Sequence, residues 1–588
     1  MRDLAYLKLL SREYPNIRAA ASDIINLQAI CGLPKGTEYF FSDLHGEHEA
    51  FIYLLRSSSG IIREKIRETF GHIISEEDEV RLANLIYYPE KMINQIKQAN
   101  EYTEDWQKTA VYRLVQICRE VSSKYTRSKV RKKMPKEFSG VIDELLYVDN
   151  TDDNKTEYYS ELINTLIDVR VADSFIVVIC SLIRSLTIDN LHILGDIFDR
   201  GPRPDIILEE LMHFHDVDIQ WGNHDISWMG AATGNRACIC NVLRMALGYN
   251  GFDVLEDGYG INLRPLSMFA ERVYRDDPCT CFLPQILDKN IYDAVDPKLA
   301  AKMHKAIAVL QYKEEGQIIK RHPEYGMEER ILLSAIRYDR GTVTIDGKEY
   351  PMRDMNFPTV DPADPLRLTD EEEELLHTLE LSFRHNARLH EHVRFLYSNG
   401  SMYKCCNSNL LYHGCIPMTE NREFDGLMVG GKMYRGKELM DFIDTQVKNA
   451  YFLPEDAPEK EACRDFMWYL WNGAKSPVFG KDKNRSFEHY FIEDPEVMRE
   501  TMNPYYQLSE EEETCDMILK EFGLPTKGSH IINGHMPVKI KSGETPIRAG
   551  GKLFIIDGGL SKAYQERTGI AGYTLIFNSH HLALAEHK

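Results

Sequence analysis

Cysteine is scarce in this chain, with twelve in 588 residues and none in a CxxC pair. A disulfide framework and a common zinc ribbon are therefore excluded, and reduced thiols are expected. Three close pairs, Cys238/Cys240, Cys279/Cys281 and Cys405/Cys406, lack the two-to-four-residue spacing that lets both sulfurs reach one tetrahedral zinc. They read as buried, inert thiols. Long apolar runs are also missing. The longest, Phe175 to Ile183, has the length of a buried strand, so no membrane-spanning segment is expected. The opening MRDLAYLKLLSREYP has neither the long apolar region nor the small-residue cleavage site of a secretory signal, which predicts a cytoplasmic protein. Positive charge is in deficit: 70 Lys and Arg face 91 Asp and Glu, a net −21 that opposes binding to nucleic acid or to an anionic membrane. No repeat and no low-complexity tract is present.

What is there is an ordinary globular composition, 43% hydrophobic and 27% charged, enough to bury a large core. The length fits three or four domains, or one large core carrying insertions. Five segments share one pattern, a short apolar run followed by a sharp polar turn: EYFFSDLHGE ending at Glu47, LHILGDIFDRG ending at Gly201, DIQWGNHD ending at Asp225, NLLYHGCIP ending at Pro417 and HIINGHMP ending at Pro537. Each apolar run reads as a strand. In open α/β sheets, ligands gather beyond the carboxyl ends of strands, which is where all five polar turns would lie.

Spacing shows what has been inserted. Asp196 and Asn223 stand 27 residues apart, one strand–helix–strand unit, and Pro204 supplies a helix start between them, so these strands should be neighbours. The 151 residues from His45 to Asp196 and the 188 from Asp225 to His413 exceed any single crossover. The expected division is a first part of the core in 1–58, a mainly helical insertion in 59–184, core again in 185–260, a second, largely helical insertion in 261–400, and the C-terminal part of the core in 401–588. Within the second insertion, Thr369 followed by Glu372 predicts a capping box opening a helix through about Tyr397. The basic stretch 124–136, seven Lys or Arg in thirteen residues, reads as a solvated face, and the acidic runs 370–374 and 510–513 as exposed first turns of helices. GKMYRGKE, residues 431–438, imitates a phosphate-binding loop but ends in Glu where Ser or Thr is required.

The polar turns carry the chemistry. Asp43 and His45 lie one residue apart and can be aimed at one point. GDIFDRG supplies Asp196, Asp199 and Arg200, GNHD supplies Asn223 and His224, and the two late turns add His413 and His535 beside glycines that let backbone approach closely. Any one of these histidines alone would read as structural. Six nitrogen and oxygen ligands on five strand ends instead match two divalent ions sharing one carboxylate, with positions open for water.

The ordered set DLHGE, GDIFDRG, GNHD, HGCIP and GHMP resembles the signature of calcineurin-like metallophosphoesterases as arranged in phosphoprotein phosphatases. Along nearly its full length the chain is similar to one family within that superfamily, the class III, Firmicutes-type fructose-1,6-bisphosphatases. The similarity is carried by YPNIRAAASDIINLQAICGLPKGTEYFFSDLHGEHEAF, FLYSNGSMYKCCNSNLLYHGCIP and GHMPVKIKSGETPIRAGGKLFIIDGGLSKAYQERTGIAGYTLIFNS. The resemblance implies an α/β fold, a metallophosphoesterase-type sandwich of two mixed β-sheets flanked by helices, with the large helical insertions beside it. It implies that Asp43, His45 and Asp196 bind one metal and Asp196, Asn223, His413 and His535 a second, that Arg200 grips the phosphoryl group, and that His224 is the general acid, oriented by Asp199. The metal in that family is manganese, and the pathway gluconeogenesis. Gly414–Cys415 stands where protein phosphatases usually have two glycines, and Asp225 replaces a common Glu; neither change removes a ligand.

On this reading the enzyme is a phosphoric monoester hydrolase in which a hydroxide bridging two Mn²⁺ ions attacks the 1-phosphate of fructose 1,6-bisphosphate while His224 protonates the leaving oxygen. The small sugar bisphosphate is the expected partner, with self-assembly left open. Two alternatives stand beside it: a phosphoprotein phosphatase or dinucleoside polyphosphate hydrolase on the same core, and an inactive metabolite-sensing homologue. The cationic pocket for the second phosphate has only weak candidates: Arg236, Lys475, Lys481, Arg548 and Lys552.

Overall fold

The computed structural model describes residues 2–33, 36–71, 73–147, 153–285, 296–562, 565, 568–579 and 581–587. All five expected strands form: Glu38–Phe41, Asn190–Ile193, Val217–Gln220, Asn409–Tyr412 and His530–Asn533. Each is four residues long and buried along almost its whole length, so both faces are covered, and even the polar Asp218 and Gln220 of one strand and His192 of another are enclosed. They belong to two mixed sheets. One runs in the order Leu582–Glu586, Tyr573–Phe577, Glu38–Phe41, Asn190–Ile193, Val217–Gln220, Gly400–Ser401, and the other in the order Ile547–Arg548, Leu553–Ile555, His530–Asn533, Asn409–Tyr412, Tyr403–Cys406. In the second sheet His530–Asn533 is parallel to both neighbours, with Ile531 opposite Leu410 and Leu553, while the outer strands run antiparallel. As expected, Asn190–Ile193 and Val217–Gln220 are adjacent, joined through the helix Pro204–Met212.

The described residues fall into two compact units. The first comprises 1–39, 53–191 and 576–583. Several of its helices start on side-chain caps: Ser75, Thr103 and Thr126 each accept a hydrogen bond from the backbone N–H three residues on. Leu114, Val115 and Cys118 of the helix Glu104–Ser122 share one core with Phe175, Ile176, Ile179 and Ile183. The run 175–183 is therefore not a strand; it lies within the helix Ala172–Thr187, whose buried side takes Phe175, Ile176, Ile179, Cys180, Leu182 and Ile183 from it. A short, wholly apolar stretch fits both periods, and the buried helix wins because its apolar face continues to Leu186, beyond strand length. The basic stretch is neutralised locally, Lys129 and Lys133 by Asp189, Arg127 and Arg131 by Asp143.

The second unit comprises 40–52, 192–575 and 584–588. The Thr369 capping box is present in both directions, but the helix it opens ends at Arg384, and a new helix, Ala387–Asn399, starts on the side chain of Asn386. The expected single helix is thus two, because a well-placed Asn cap competes with continuation. GKMYRGKE forms the second strand of a hairpin and the first turn of a helix, with Lys432 paired to Glu438. Of the acidic runs, 370–373 fill a first turn, whereas Glu510 and Glu511 precede the helix Glu512–Glu521. Among the described residues no helix is long and apolar enough to cross a membrane.

Candidate functional site

Three of the five polar turns supply residues that the backbone holds in the left-handed region or just beside it. Asp43 has φ 53°, His45 42°, Asp196 54°, Asp199 67°, Arg200 72° and His535 70°. Each is costly for a residue with a Cβ and persists only where the surroundings over-determine it. Here the turns brace one another: the Asp43 N–H donates to the Gly195 carbonyl at 3.0 Å, the His45 N–H to the Asp196 carbonyl at 2.9 Å, and the Gly534 N–H to the His413 carbonyl at 2.9 Å. Two glycines are required by contact. A Cβ on Gly222 would lie 2.1 Å from Asp196 Oδ1, and one on Gly534 1.8 Å from Ser42 Oγ.

Asp196 sits at the centre. Its Oδ2 is 3.5 Å from His413 Nε2, 3.9 Å from His45 Nε2 and 4.0 Å from His224 Nε2. Two groups of donor atoms able to hold a metal ion share it, one with His45 and His224, the other with His413 and His535. Asp43 joins the first through Oδ1, 4.0 Å from His45 Nε2.

Three histidines have their second ring nitrogen tied to a backbone carbonyl: His45 Nδ1 to Phe198 at 3.0 Å, His413 Nδ1 to Leu194 at 2.5 Å and His535 Nε2 to Phe479 at 3.0 Å. A carbonyl only accepts, so each tied nitrogen carries a proton, and whenever the ring is neutral the opposite nitrogen presents its lone pair inward. Asn223 supplies the decisive detail. It is buried, and its Oδ1 has no hydrogen-bond partner. A buried amide oxygen without a donor is costly, and a divalent cation is the ligand that satisfies it. The residues present therefore fit a pair of metal ions: inward lone pairs, a shared carboxylate and an orphaned oxygen.

The neighbouring triad is equally well defined. His224 Nδ1–H donates to Asp199 Oδ2 at 2.7 Å, and the Trp228 indole N–H holds the other Asp199 oxygen at 2.8 Å. Arg200 places its guanidinium 2.9 Å from His45 Nε2 and 3.3 Å from His224 Nε2. Trp471 packs edge-on to His224 at a ring separation of 4.9 Å.

Electrostatics follow from burying so many groups together. Burial works to raise Asp196, yet the His413 and His224 imidazoles hold it well below the usual carboxylate range. Burial pushes Asp43 up to about 6 against the pull of His413. His413 itself would be lowered by burial, but the Asp196 carboxylate reverses this and drives it up to about 10. His535 is pushed down to about 3 by burial and by His413, and His45 well down by burial and the Arg200 charge. Both are thus held neutral, the form that ligates.

All nine sequence-identified residues come together in the second unit. The candidates for a second phosphate pocket are instead committed elsewhere: Arg236 to Glu373 and Glu380, Lys475 to Asp425, Lys481 to Glu500, Arg548 to Glu510 and Lys552 to Asp516. Of the close cysteine pairs, Cys238, Cys240 and Cys279 are buried, with burial raising their thiols; Cys281, Cys405 and Cys406 are not buried.

Sequence reasoning assigned no role to two carboxylates. Asp225 accepts backbone N–H bonds from Asp196 at 2.8 Å, Ile197 at 2.9 Å and Gly222 at 2.9 Å, stitching two turns together. Asp557 is buried, accepts from the Gly559 N–H at 2.9 Å and is raised by burial and by the Asp43 charge. The visible signal was the sequence IIDGG, a strand end with an acid before paired glycines, which follows the same pattern as the five turns.

The chain matches the family model described as Firmicute fructose-1,6-bisphosphatase over residues 5–588. It is 52% identical over 586 residues to a class 3 fructose-1,6-bisphosphatase of Clostridium tetani, and 52% identical over 586 residues to one of Bacteroides fragilis. A third, from Bacteroides thetaiotaomicron, is 50% identical over 588 residues. In each case the match covers 100% of this chain and 88% of the relative. No solved structure matches. With the family model spanning almost every residue and relatives identical at half of all positions, the chain belongs to the Firmicute, class 3 fructose-1,6-bisphosphatase family.

Proposed function

We propose that the protein removes the 1-phosphate of D-fructose 1,6-bisphosphate, giving fructose 6-phosphate and inorganic phosphate, the phosphatase step of gluconeogenesis. The observation that carries the reaction class is the Asp196 carboxylate shared by two donor groups beside the unpartnered Asn223 Oδ1. The substrate follows from the relatives' name, held over the whole chain. The finer fold reading, a metallophosphoesterase sandwich of the two mixed sheets flanked by helices, is part of the same proposal, supported by the convergence of strand-end turns on one site. So is a cytoplasmic location, supported by twelve free cysteines.

Asp43, His45 and Asp196 would hold one divalent ion and Asp196, Asn223, His413 and His535 the other, with Mn²⁺ the metal proposed for both. When bound, the pair would supply a water acidic enough to attack phosphorus at neutral pH and would offset the charge of the phosphoryl oxygens, which explains how a chain of net −21 takes an anionic substrate. The protein's own groups do the rest. Arg200, fixed between His45 and His224, offers its guanidinium to the phosphoryl oxygens. A sugar alkoxide leaves poorly, so the leaving C1 oxygen takes a proton from His224 Nε2. Asp199 holds the opposite nitrogen as N–H and stabilises the cationic ring, and Trp228 keeps Asp199 in place. Trp471 shields the ring edge from water.

The test is phosphate release by metal-stripped protein with and without added Mn²⁺, using fructose 1,6-bisphosphate beside fructose 6-phosphate, a phosphopeptide and a dinucleoside tetraphosphate. Manganese-dependent release of one phosphate from the bisphosphate alone is expected. Turnover of another ester with the bisphosphate inert overturns the substrate and keeps the site; no turnover with metals bound overturns both.

A further inference from the structure

The N-terminal segment of the first unit is exposed or half-buried at every residue whose burial is described from Leu4 to Leu33. It forms two helices, Arg2–Glu13 and Ile17–Cys31, joined by a hydrogen bond from the Tyr14 hydroxyl to Asp23 at 2.6 Å. Not one residue of the second helix is buried. Between Leu4 and Leu33 ten large apolar side chains are exposed, among them Leu4 at 60%, Leu7 at 58%, Leu9 at 62%, Ile17 at 87%, Ile24 at 60% and Leu27 at 52%. Together they present on the order of 1,000 Å² of apolar surface, against about 300–600 Å² for the largest patch on an ordinary monomer. A helix of this length with nothing packed on it is also marginal in water, because helical stability comes mostly from tertiary burial of one face. Two helices with such faces gain stability when the apolar surface is covered.

The pattern on the second helix says what kind of surface fits. Ile17, Ile24 and Cys31 recur every seven residues, with Ala20 and Leu27 three further on, the spacing of a seam that accepts another helix rather than a flat sheet or a pocketed ligand. Charge narrows the choice further. The whole chain carries −21, but residues 2–33 hold four basic and three acidic side chains, so this patch lacks the repulsion that the rest of one molecule would exert on another. A patch that is apolar, nearly neutral and helical is complementary to itself, which is the requirement of a two-fold contact. Its area matches the roughly 800 Å² that each partner contributes to a stable interface.

We propose that the helices Arg2–Glu13 and Ile17–Cys31 form the self-association surface of this protein, each hairpin packing on that of a second copy. The test is sedimentation of the unmodified chain across a micromolar concentration range, beside the double substitution Ile24→Asp with Leu27→Asp. Far-UV circular dichroism and the melting temperature report whether the variant is folded. The unmodified chain is expected to sediment as a dimer or a multiple of one, with the variant's mass at least twofold lower at the same concentration and its melting transition retained. Hydrogen exchange across 17–31 in the unmodified chain, slowing as concentration rises, is the reading that holds even if the variant fails to fold. A monomeric unmodified chain overturns the proposal, whether it stays free or pellets with phosphatidylglycerol vesicles, the latter making the hairpin a membrane-surface element. Unchanged mass in a folded variant overturns it equally.

Discussion

The helical body around Phe175 and the turns around Asp196 are built on opposite terms. In the former, capped helices bury a continuous apolar core, and the charged groups lie outside it, paired at its edge as Lys129 and Lys133 are with Asp189. In the latter, buried carboxylates and imidazoles crowd together on backbone that six residues hold at positive φ. The first arrangement stabilises by removing apolar surface from water; the second is tolerated because interlocking turns leave it no relaxed alternative. The contrast shows how turns that converge on one point can hold strained backbone and several buried charges together, while apolar burial in the helical body supplies stability.

Substitutions in the two regions should therefore separate cleanly. Asp196→Asn is expected to have the largest effect: it removes the shared ligand, so metal content measured by elemental analysis should collapse and phosphate release fall more than about a thousandfold, beyond the roughly 10–100-fold typical of outer partners. His224→Ala should keep its metals and lower kcat by about a hundredfold to ten-thousandfold; retained metals with full turnover would sink the acid role. Phe175→Ala, in the other region, should cost about 3–5 kcal/mol in unfolding while kcat of the folded protein stays unchanged. A fall in kcat there would show that the two regions are coupled. Asp225→Asn lies on the border of the comparison. It weakens the bonds to three backbone N–H groups, that of Asp196 among them, without removing a ligand side chain, so a 10–100-fold loss of metal affinity is expected together with a lower melting temperature. Smallest of all, Thr103→Ala removes one helix cap and should cost about 1 kcal/mol with no change in turnover.

Much of this was readable in one dimension. Each of the five runs became a strand, because short segments bounded by sharp polar turns fit a covered strand, and each turn carried its candidate ligands within a few residues of the strand end. The failures have physical causes as well. The run 175–183 was ambiguous because a short apolar stretch satisfies a strand and a buried helix alike. The break at His385–Asn386 was hidden because a helical apolar pattern continues on both sides of it. The roles of Asp225 and Asp557 were not legible because their partners are backbone groups or distant charges, which leave no residue type to recognise.

The sequence by itself determined the ligand types, their order and the turns that carry them, since these depend on local chemistry: which atoms can bind a cation, and which residues can end a strand sharply. Only the tertiary structure decided which nitrogen of each histidine faces inward, that Asn223 Oδ1 is left without a donor, and that the basic candidates for a second phosphate are each tied to a carboxylate. Those facts depend on carbonyls and charges brought from tens to hundreds of residues away, as Leu194 is to His413 and Phe479 to His535. Distance in space, not identity in sequence, sets a hydrogen bond or an ion pair.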